Sequence, residues 1–215
     1  MTRADQLAAL GIVFSAIDAD AVMVIEAPDN GKRRRTTDML ETFAAACGLR
    51  ARRALLGFAN GTQQEIALLY DPDRITVRHD PIGQPGPHVS PEGAAPRFDT
   101  PFPLAPGGDK PLDNVAFSNP PLEIEASTAA GQRLRLIGVH SKSKAPHGAD
   151  GPDQVRRLAI SNRRKQIGES IWLRHRVLEH LQAGESLMVM GDFNDGPGLD
   201  EYEQMFGRSG LEIVI

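Results

Sequence analysis

Three apolar runs in this chain end on groups that can do chemistry: "VMVIE" on Glu26, "LRLIGVH" on His140 and "LMVMGDFND" on Asp192 and Asn194. A short apolar run bounded by turn residues reads as a strand buried on both faces, so each polar group stands at a strand's exit. If these exits meet at one edge, a carboxylate, an imidazole and an acid-amide pair converge. In extended chain, residues two apart face the same side, so Asp192 and Asn194 point together while Phe193 turns back to pack. A carboxylate at the end of an apolar strand needs a partner, and for Glu26 that is an arginine or a metal ion. His140 is followed by "SKSK", which puts Lys142 and Lys144 in one loop, as an anionic substrate would favour. The bland readings are a structural histidine, a solvated loop and an ordinary Asn-Asp-Gly-Pro turn. "RRKQ", Arg163 to Gln166, falls on a helical stretch whose charges form mostly a wet face.

The elements that must carry these groups are punctuated clearly. Residues 2 to about 18 fit a helix with Thr2 as N-cap and Leu7, Leu10, Phe14 and Ile17 at helical spacing. "AVMVIE" is a buried strand, and "TTDMLETFAAACG" a second helix capped by Thr36 or Thr37 and stopped by Gly48. Strands are expected at Ala51–Phe58, Glu65–Tyr70 and Ile75–His79 as a hairpin-like meander. Residues 80–110 are too rich in Pro and Gly for a helix or central strand and read as a long surface loop. "FSNPPLEIEAST" and "RLRLIGVH" form a further strand pair across "AAGQ". Gln154 to Gln182, with Leu158, Ile167, Ile171, Leu173, Leu178 and Leu181, reads as one long amphipathic helix or two end to end. A short helix near "LDEYEQMFG" and an apolar run "LEIVI" follow the last strand. Strands interrupted by a few helices without strict alternation favour an α+β layered sandwich over a doubly wound parallel sheet.

The whole chain narrows the class. Its 215 residues are enough for one domain with a substantial core. No stretch approaches a membrane helix and the N-terminus lacks a signal-peptide pattern, so a soluble, cytoplasmic protein is expected. Its single cysteine, Cys47, excludes an internal disulfide framework and reads as a small helical hydrophobe. With 24 Lys and Arg against 28 Asp and Glu the net charge is −4, which argues against a generally basic nucleic-acid coat, although "KRRR" at Lys32 to Arg35 can still contact phosphate locally.

Taken in order and at these separations, "VMVIEAPDN", "VHSKSK", "NRRKQ" and "GDFND" resemble the endonuclease/exonuclease/phosphatase superfamily, the deoxyribonuclease I-like proteins, over nearly the whole chain. "GDFND" after an apolar strand is the specific signal, and His-Ser-Lys-Ser-Lys looks most like the bacterial nuclease branch. The resemblance implies a four-layered α/β sandwich, Mg²⁺ or Mn²⁺, and hydrolysis of a phosphodiester or phosphomonoester. Nucleic acid is the leading substrate, and a phospholipid headgroup or inositol phosphate the alternative. A non-catalytic binding domain of the same fold is the competing class. Glu26 matches the family's metal-ligand glutamate and His140 the histidine that hydrogen-bonds the phosphate. Asp192 matches the residue that orients or deprotonates water, and Asn194 one that holds phosphate or oxygen on the metal. Lys142, Lys144, Arg163 and Gln166 are candidate substrate contacts. A hard dication that keeps most of its water needs only one or two protein carboxylates, so Glu26 alone suffices. Two pieces of the family pattern are absent: an initial strand bearing an asparagine and a terminal Ser-Asp-His segment. Asn119 in "FSNPPL" stands where many relatives carry arginine. The expectation is a chain truncated at both ends, weakly active or inactive alone, whose site is completed by missing segments or a partner chain.

Overall fold

The computed structural model describes residues 2–85, 94–104, 113–195 and 207–215. Thr2 Oγ1 accepts from Asp5 N (3.2 Å) while the Asp5 carboxylate accepts from Thr2 N (2.8 Å), a capping box that opens α1 (Arg3–Ile17). Strand β1 (Ala21–Ala27) follows, then α2 (Thr36–Cys47). Gly48 ends α2 in the left-handed conformation, as expected, but Thr36 is its first helical residue and not its cap; its hydroxyl donates to Pro28 O instead.

Strands β2 (Arg53–Leu56), β3 (Glu65–Tyr70) and β4 (Ile75–His79) do not form the expected meander. Both β1 and β2 pair antiparallel with β3, giving a three-stranded sheet ordered β1-β3-β2. The "DPDR" turn, in which Asp71 O accepts from Arg74 N and Ile75 N, carries β4 across to a second sheet. The rest of the chain supplies β5 (Phe102–Leu104), β6 (Asp113–Val115), β7 (Leu122–Thr128), β8 (Arg133–His140), α3 (Pro152–Gln182), β9 (Leu187–Asp192) and α4 (Gly210–Val214). The second sheet runs β4-β7-β8-β9, antiparallel except for the parallel β8–β9 pair, and among the described residues β5 pairs only with β6. The long helical stretch Gln154 to Gln182 is one continuous helix, α3. "LEIVI" belongs to α4, capped by Ser209 Oγ accepting from Glu212 N (3.1 Å). The helix expected near "LDEYEQMFG" lies outside the described residues. Among the described residues no helix is long and apolar enough to cross a membrane.

The period-two alternation of the strands builds four layers. Ala67 and Leu69 of β3 face α2 through Leu40 and Ala44, whereas Ile66 and Leu68 face the other sheet through Leu122, Ile124 and Leu136. On β8, Leu136 points between the sheets, while Ile137 and Val139 point to α3 and its Trp172. Phe98, Phe102 and Phe117 surround the Trp172 ring at centroid distances of 5.1–5.5 Å. The order is helix, sheet, sheet, helix, an α+β sandwich with outer helices. The sheets close tightly at Gly138, where a Cβ would lie 2.5 Å from Met23 Sδ and 2.9 Å from Ile66 Cγ2.

β9 and α1 differ from the pattern their hydrophobicity suggested. β9 is an edge strand among the described residues and half open to solvent, with Met188 exposed, because only β8 pairs with it. On α1, Leu7, Leu10 and Ile17 are exposed; the helix docks through Phe14 and through Gly11, whose α-carbon lies against Cys47 of α2.

Candidate active site

The sheet pairing breaks at the first of the candidate residues. The register of β1 on β3 slips between Val24 and Ala27, a bulge in which Glu26 adopts φ +57°, a costly backbone for a residue with a side chain. The slip turns the carboxylate out of the strand, 57% exposed, where Oε1 accepts from Gln64 Nε2 (3.1 Å). Among the described residues no arginine lies within ion-pair distance of it, and the ionisable group that approaches it is the His140 ring, Nε2 to Oε1 3.9 Å.

His140 arrives from the other sheet, at the end of β8, and is buried. Its Nδ1 lies 3.0 Å from Asn119 Nδ2, and the Asn119 oxygen contacts Thr62 Oγ1, which also contacts Asn60 Oδ1. That chain of polar contacts fixes the ring so that Nε2 is the nitrogen facing Glu26, whichever nitrogen carries the proton. Asn60 in turn donates to Glu65 Oε2 (3.1 Å), and Asn30 N donates to Oε1 (3.3 Å). Glu65 is fully buried, and burial pushes its carboxyl above the ordinary range despite those two donors.

β9 brings Asp192 into register with His140, and Ser141 N donates to Asp192 O (2.9 Å). Asp192 Oδ1 accepts from Asn194 N (2.8 Å), and Asn194, at φ +50°, donates its amide to Ser141 O (2.9 Å). The acid and the amide thus share one turn, and Phe193 packs back against the Trp172 core. Gly191 makes the turn possible: its φ of +142° is open to glycine, and a Cβ there would overlap Val139 O.

The other candidates divide. Lys142 and Lys144 lie in the loop after His140, with Lys144 Nζ 3.4 Å from Asp195 Oδ1. Arg163 and Gln166 are wholly buried beneath the turn. Gln166 Nε2 donates to the carbonyls of Phe193 and Asn194 (2.9 Å each), and Arg163 donates to Gln166 Oε1 (2.6 Å) and Arg208 O (2.7 Å). These two hold the loop's backbone. The expected Asn-Asp-Gly-Pro turn falls partly outside the described residues, but Asp195 itself accepts from Leu211 N (3.0 Å) at the start of α4.

Several site residues escaped sequence reasoning. Glu169 of α3, 1% exposed, accepts from Lys142 N (2.7 Å) and from the Ser118 backbone, so one carboxylate braces both segments that carry His140 and Asn119. Lys165 Nζ, 3.9 Å from Glu169, donates to Ser118 Oγ (2.7 Å). Burial pushes the Glu169 carboxyl up to about 7, against the lowering effect of Lys142 and Lys165. The available signal was an acid three residues after Gln166 on the inner stripe of an amphipathic helix. Asn60, Thr62 and Gln64 sit in a turn that looked purely connective.

Among the described residues no group of three or more His, Cys, Asp or Glu side chains could cage a metal ion. The exposed Glu26 carboxylate, which meets no arginine among the described residues, fits instead a hard dication that keeps most of its water and takes one carboxylate from the protein.

No protein-family model matches the chain, and no curated protein does. Among solved structures, the chain is similar to truncated Caenorhabditis elegans TDP2, with 14% identity and a TM-score of 0.49 over 93% of this chain and 57% of that one. It is also similar to a D. rerio TDP2 humanized by 14 mutations, with 14% identity and a TM-score of 0.46 over 94% of this chain and 58% of that one. This chain therefore spans less than two thirds of either.

Proposed function

We propose that this chain is a divalent-metal-dependent phosphodiester hydrolase of the deoxyribonuclease I-like kind, acting on nucleic acid. The observation that carries the reading is the convergence of Glu26 and His140, from different sheets, to 3.9 Å, with Asp192 in register beside His140. Separate strands have no structural need to deliver an exposed carboxylate, a ring held by an amide and a second exposed acid to one edge.

Glu26 would hold Mg²⁺ or Mn²⁺, which when bound supplies charge to offset that developing on a phosphoryl group. His140 Nε2, oriented through Asn119, donates to a phosphoryl oxygen as its charge builds. Asp192 accepts the proton of the attacking water, a contribution on the order of 10²–10⁴-fold. Asn194 fixes the turn by donating to Ser141 O and leaves its amide oxygen as an acceptor for water, and Lys142 adds positive charge from the adjoining loop.

The test is hydrolysis of an oligonucleotide by the purified chain with Mg²⁺ or Mn²⁺, alongside Glu26→Gln and His140→Ala. Each substitution is expected to lower turnover at least about a hundredfold. Wild-type rates in both variants would overturn the assignment, and tight binding without turnover in the parent chain would favour a binding domain of the same fold.

A further inference from the structure

The four cations Lys32 to Arg35 lie on the loop that directly follows Glu26, and the proposed hydrolysis does not use them. The loop is built, not slack. Gly31 and Arg34 exchange both backbone hydrogen bonds (2.9 and 3.3 Å), which folds Lys32 and Arg33 into a tip. Thr36 Oγ1 donates to Pro28 O (2.7 Å) and Thr36 N to Asn30 Oδ1 (3.4 Å), closing the base. The base is joined to the site through Glu65, whose two oxygens hold Asn30 N and Asn60 Nδ2, and from Asn60 the contacts run through Thr62 and Asn119 to His140.

Above that base all four cationic side chains are exposed, and among the described residues no acid lies within ion-pair distance of any of them. Several surface arginines elsewhere are neutralised, Arg52 by Asp73, Arg78 by Asp80 and Glu125, and Arg133 by Glu125, whereas among the described residues Arg3 on α1 and Arg156 and Arg157 on α3 are exposed with no acid in ion-pair range. A chain of net charge −4 thus places four consecutive unpaired cations on the hydrogen-bonded loop that follows Glu26. Guanidinium groups match phosphate oxygens in pairs, and a run of them fits successive phosphates better than a single one.

We infer that the Lys32–Arg35 loop is a backbone-gripping arm that binds the phosphates of a nucleic-acid strand flanking the one at the Glu26–His140 edge. This rests on the phosphodiesterase reading and narrows it: a polymer reaches the arm, and a small phosphoester does not. Removing phosphate contacts lowers the salt slope of binding by about 0.9 per contact on duplex DNA and about 0.7 on single strands.

The experiment compares the parent chain with Lys32→Ala/Arg33→Ala/Arg34→Ala/Arg35→Ala and with the charge reversal Arg33→Glu/Arg34→Glu. Anisotropy of a fluorescein-labelled oligonucleotide, single-stranded and duplex, is followed from about 50 to 200 mM NaCl. Hydrolysis of bis(p-nitrophenyl) phosphate and binding to phosphatidylserine vesicles are measured beside it, and circular dichroism checks that the variants fold. Both variants are expected to bind the oligonucleotide at least about tenfold more weakly at low salt, the alanine variant with a slope shallower by about two. Turnover of the small ester is expected to stay at the parent level. Unchanged affinity and slope would overturn the inference, as would an equal loss of small-ester turnover or a loss of vesicle binding with oligonucleotide binding intact. Arm-dependent binding without turnover of any substrate would remove the hydrolase reading and leave the arm. Turnover with arm-independent binding would do the reverse.

Discussion

Glu169 shows how one buried carboxylate can position the segments that carry the proposed site. Its carboxylate accepts from Lys142 N and from the Ser118 backbone, next to His140 and Asn119 respectively, and burial pushes it up to about 7 with Lys142 and Lys165 as its cationic neighbours. Because its folded-state pKa lies above the ordinary value of 4.5, the folded chain holds this proton more tightly than the unfolded one. The stability from that proton is fully present below 4.5 and is lost as pH rises through about 7, at no more than about 1.4 kcal/mol per pH unit. Glu169→Gln keeps an acceptor for Lys142 N but cannot ionise. The urea midpoint of the parent chain is therefore expected to fall relative to the Gln variant between pH 5 and 7, by unfolding monitored at each pH; parallel curves would show that Glu169 stays ionised throughout. Glu26, His140 and Asp192 were legible because each ends an apolar run. Glu169 was not, because a buried acid inside a charged helix looks like surface until its partners are known.

At the scale of elements, α3 shows where hydrophobicity misleads. Leu178 and Leu181 looked like part of its inner stripe, yet both are exposed. The buried face of that helix keeps Ile167 and Leu173, as expected, and adds Arg163, Gln166, Glu169, Arg176 and His180, polar groups tolerated inside because each meets a fixed partner. Periodicity found the helix and the strands, whose apolar runs are short and well bounded. It could not say that β4 leaves its neighbours for the second sheet, because pairing is set by packing across the layers, nor that β9 is an open edge. One strand feature did carry its own signal, the glycine of "GDFND". Since Gly191 holds φ +142° with Val139 O against its α-carbon, Gly191→Ala forces β9 off β8 and moves Asp192 from its place beside His140. The expected result is a loss of about 3 kcal/mol or more by chemical denaturation, together with a fall in turnover larger than the unfolded fraction explains. A variant of unchanged stability would mean the turn relaxes freely.

Across the whole molecule, charge is arranged in two ways with different energetic weight. At the surface, in pairs such as Arg78 with Asp80 and Glu125, the arginine is open to solvent and the carboxylates half-buried, so each pair contributes little. Inside, the second half of α3 clasps the described end of the Pro- and Gly-rich segment. Arg176 donates to the carbonyls of Ala95 and Pro96 (3.1 and 2.8 Å), lies 3.2 Å from Glu123 Oε1 and pairs with Glu179 (3.1 Å), while Glu179 accepts from Ala95 N (2.7 Å). Glu123 also accepts from Ile82 N (3.1 Å), so the same cluster holds the segment's near side. His180 completes it: burial lowers its pKa, but the Glu123 and Glu185 carboxylates outweigh that and leave it raised. Each group is compensated by another, so removing one strands the rest. Arg176→Met retains much of the side chain's bulk yet leaves Glu123 buried without its strongest cation, and the expected cost is about 3–5 kcal/mol. Arg78→Ala, by contrast, is expected to cost no more than about 1 kcal/mol. Paired urea titrations at neutral pH separate the two. Similar midpoints would mean that water reaches the α3 cluster and that the clasp on the loop is no stronger than a surface pair.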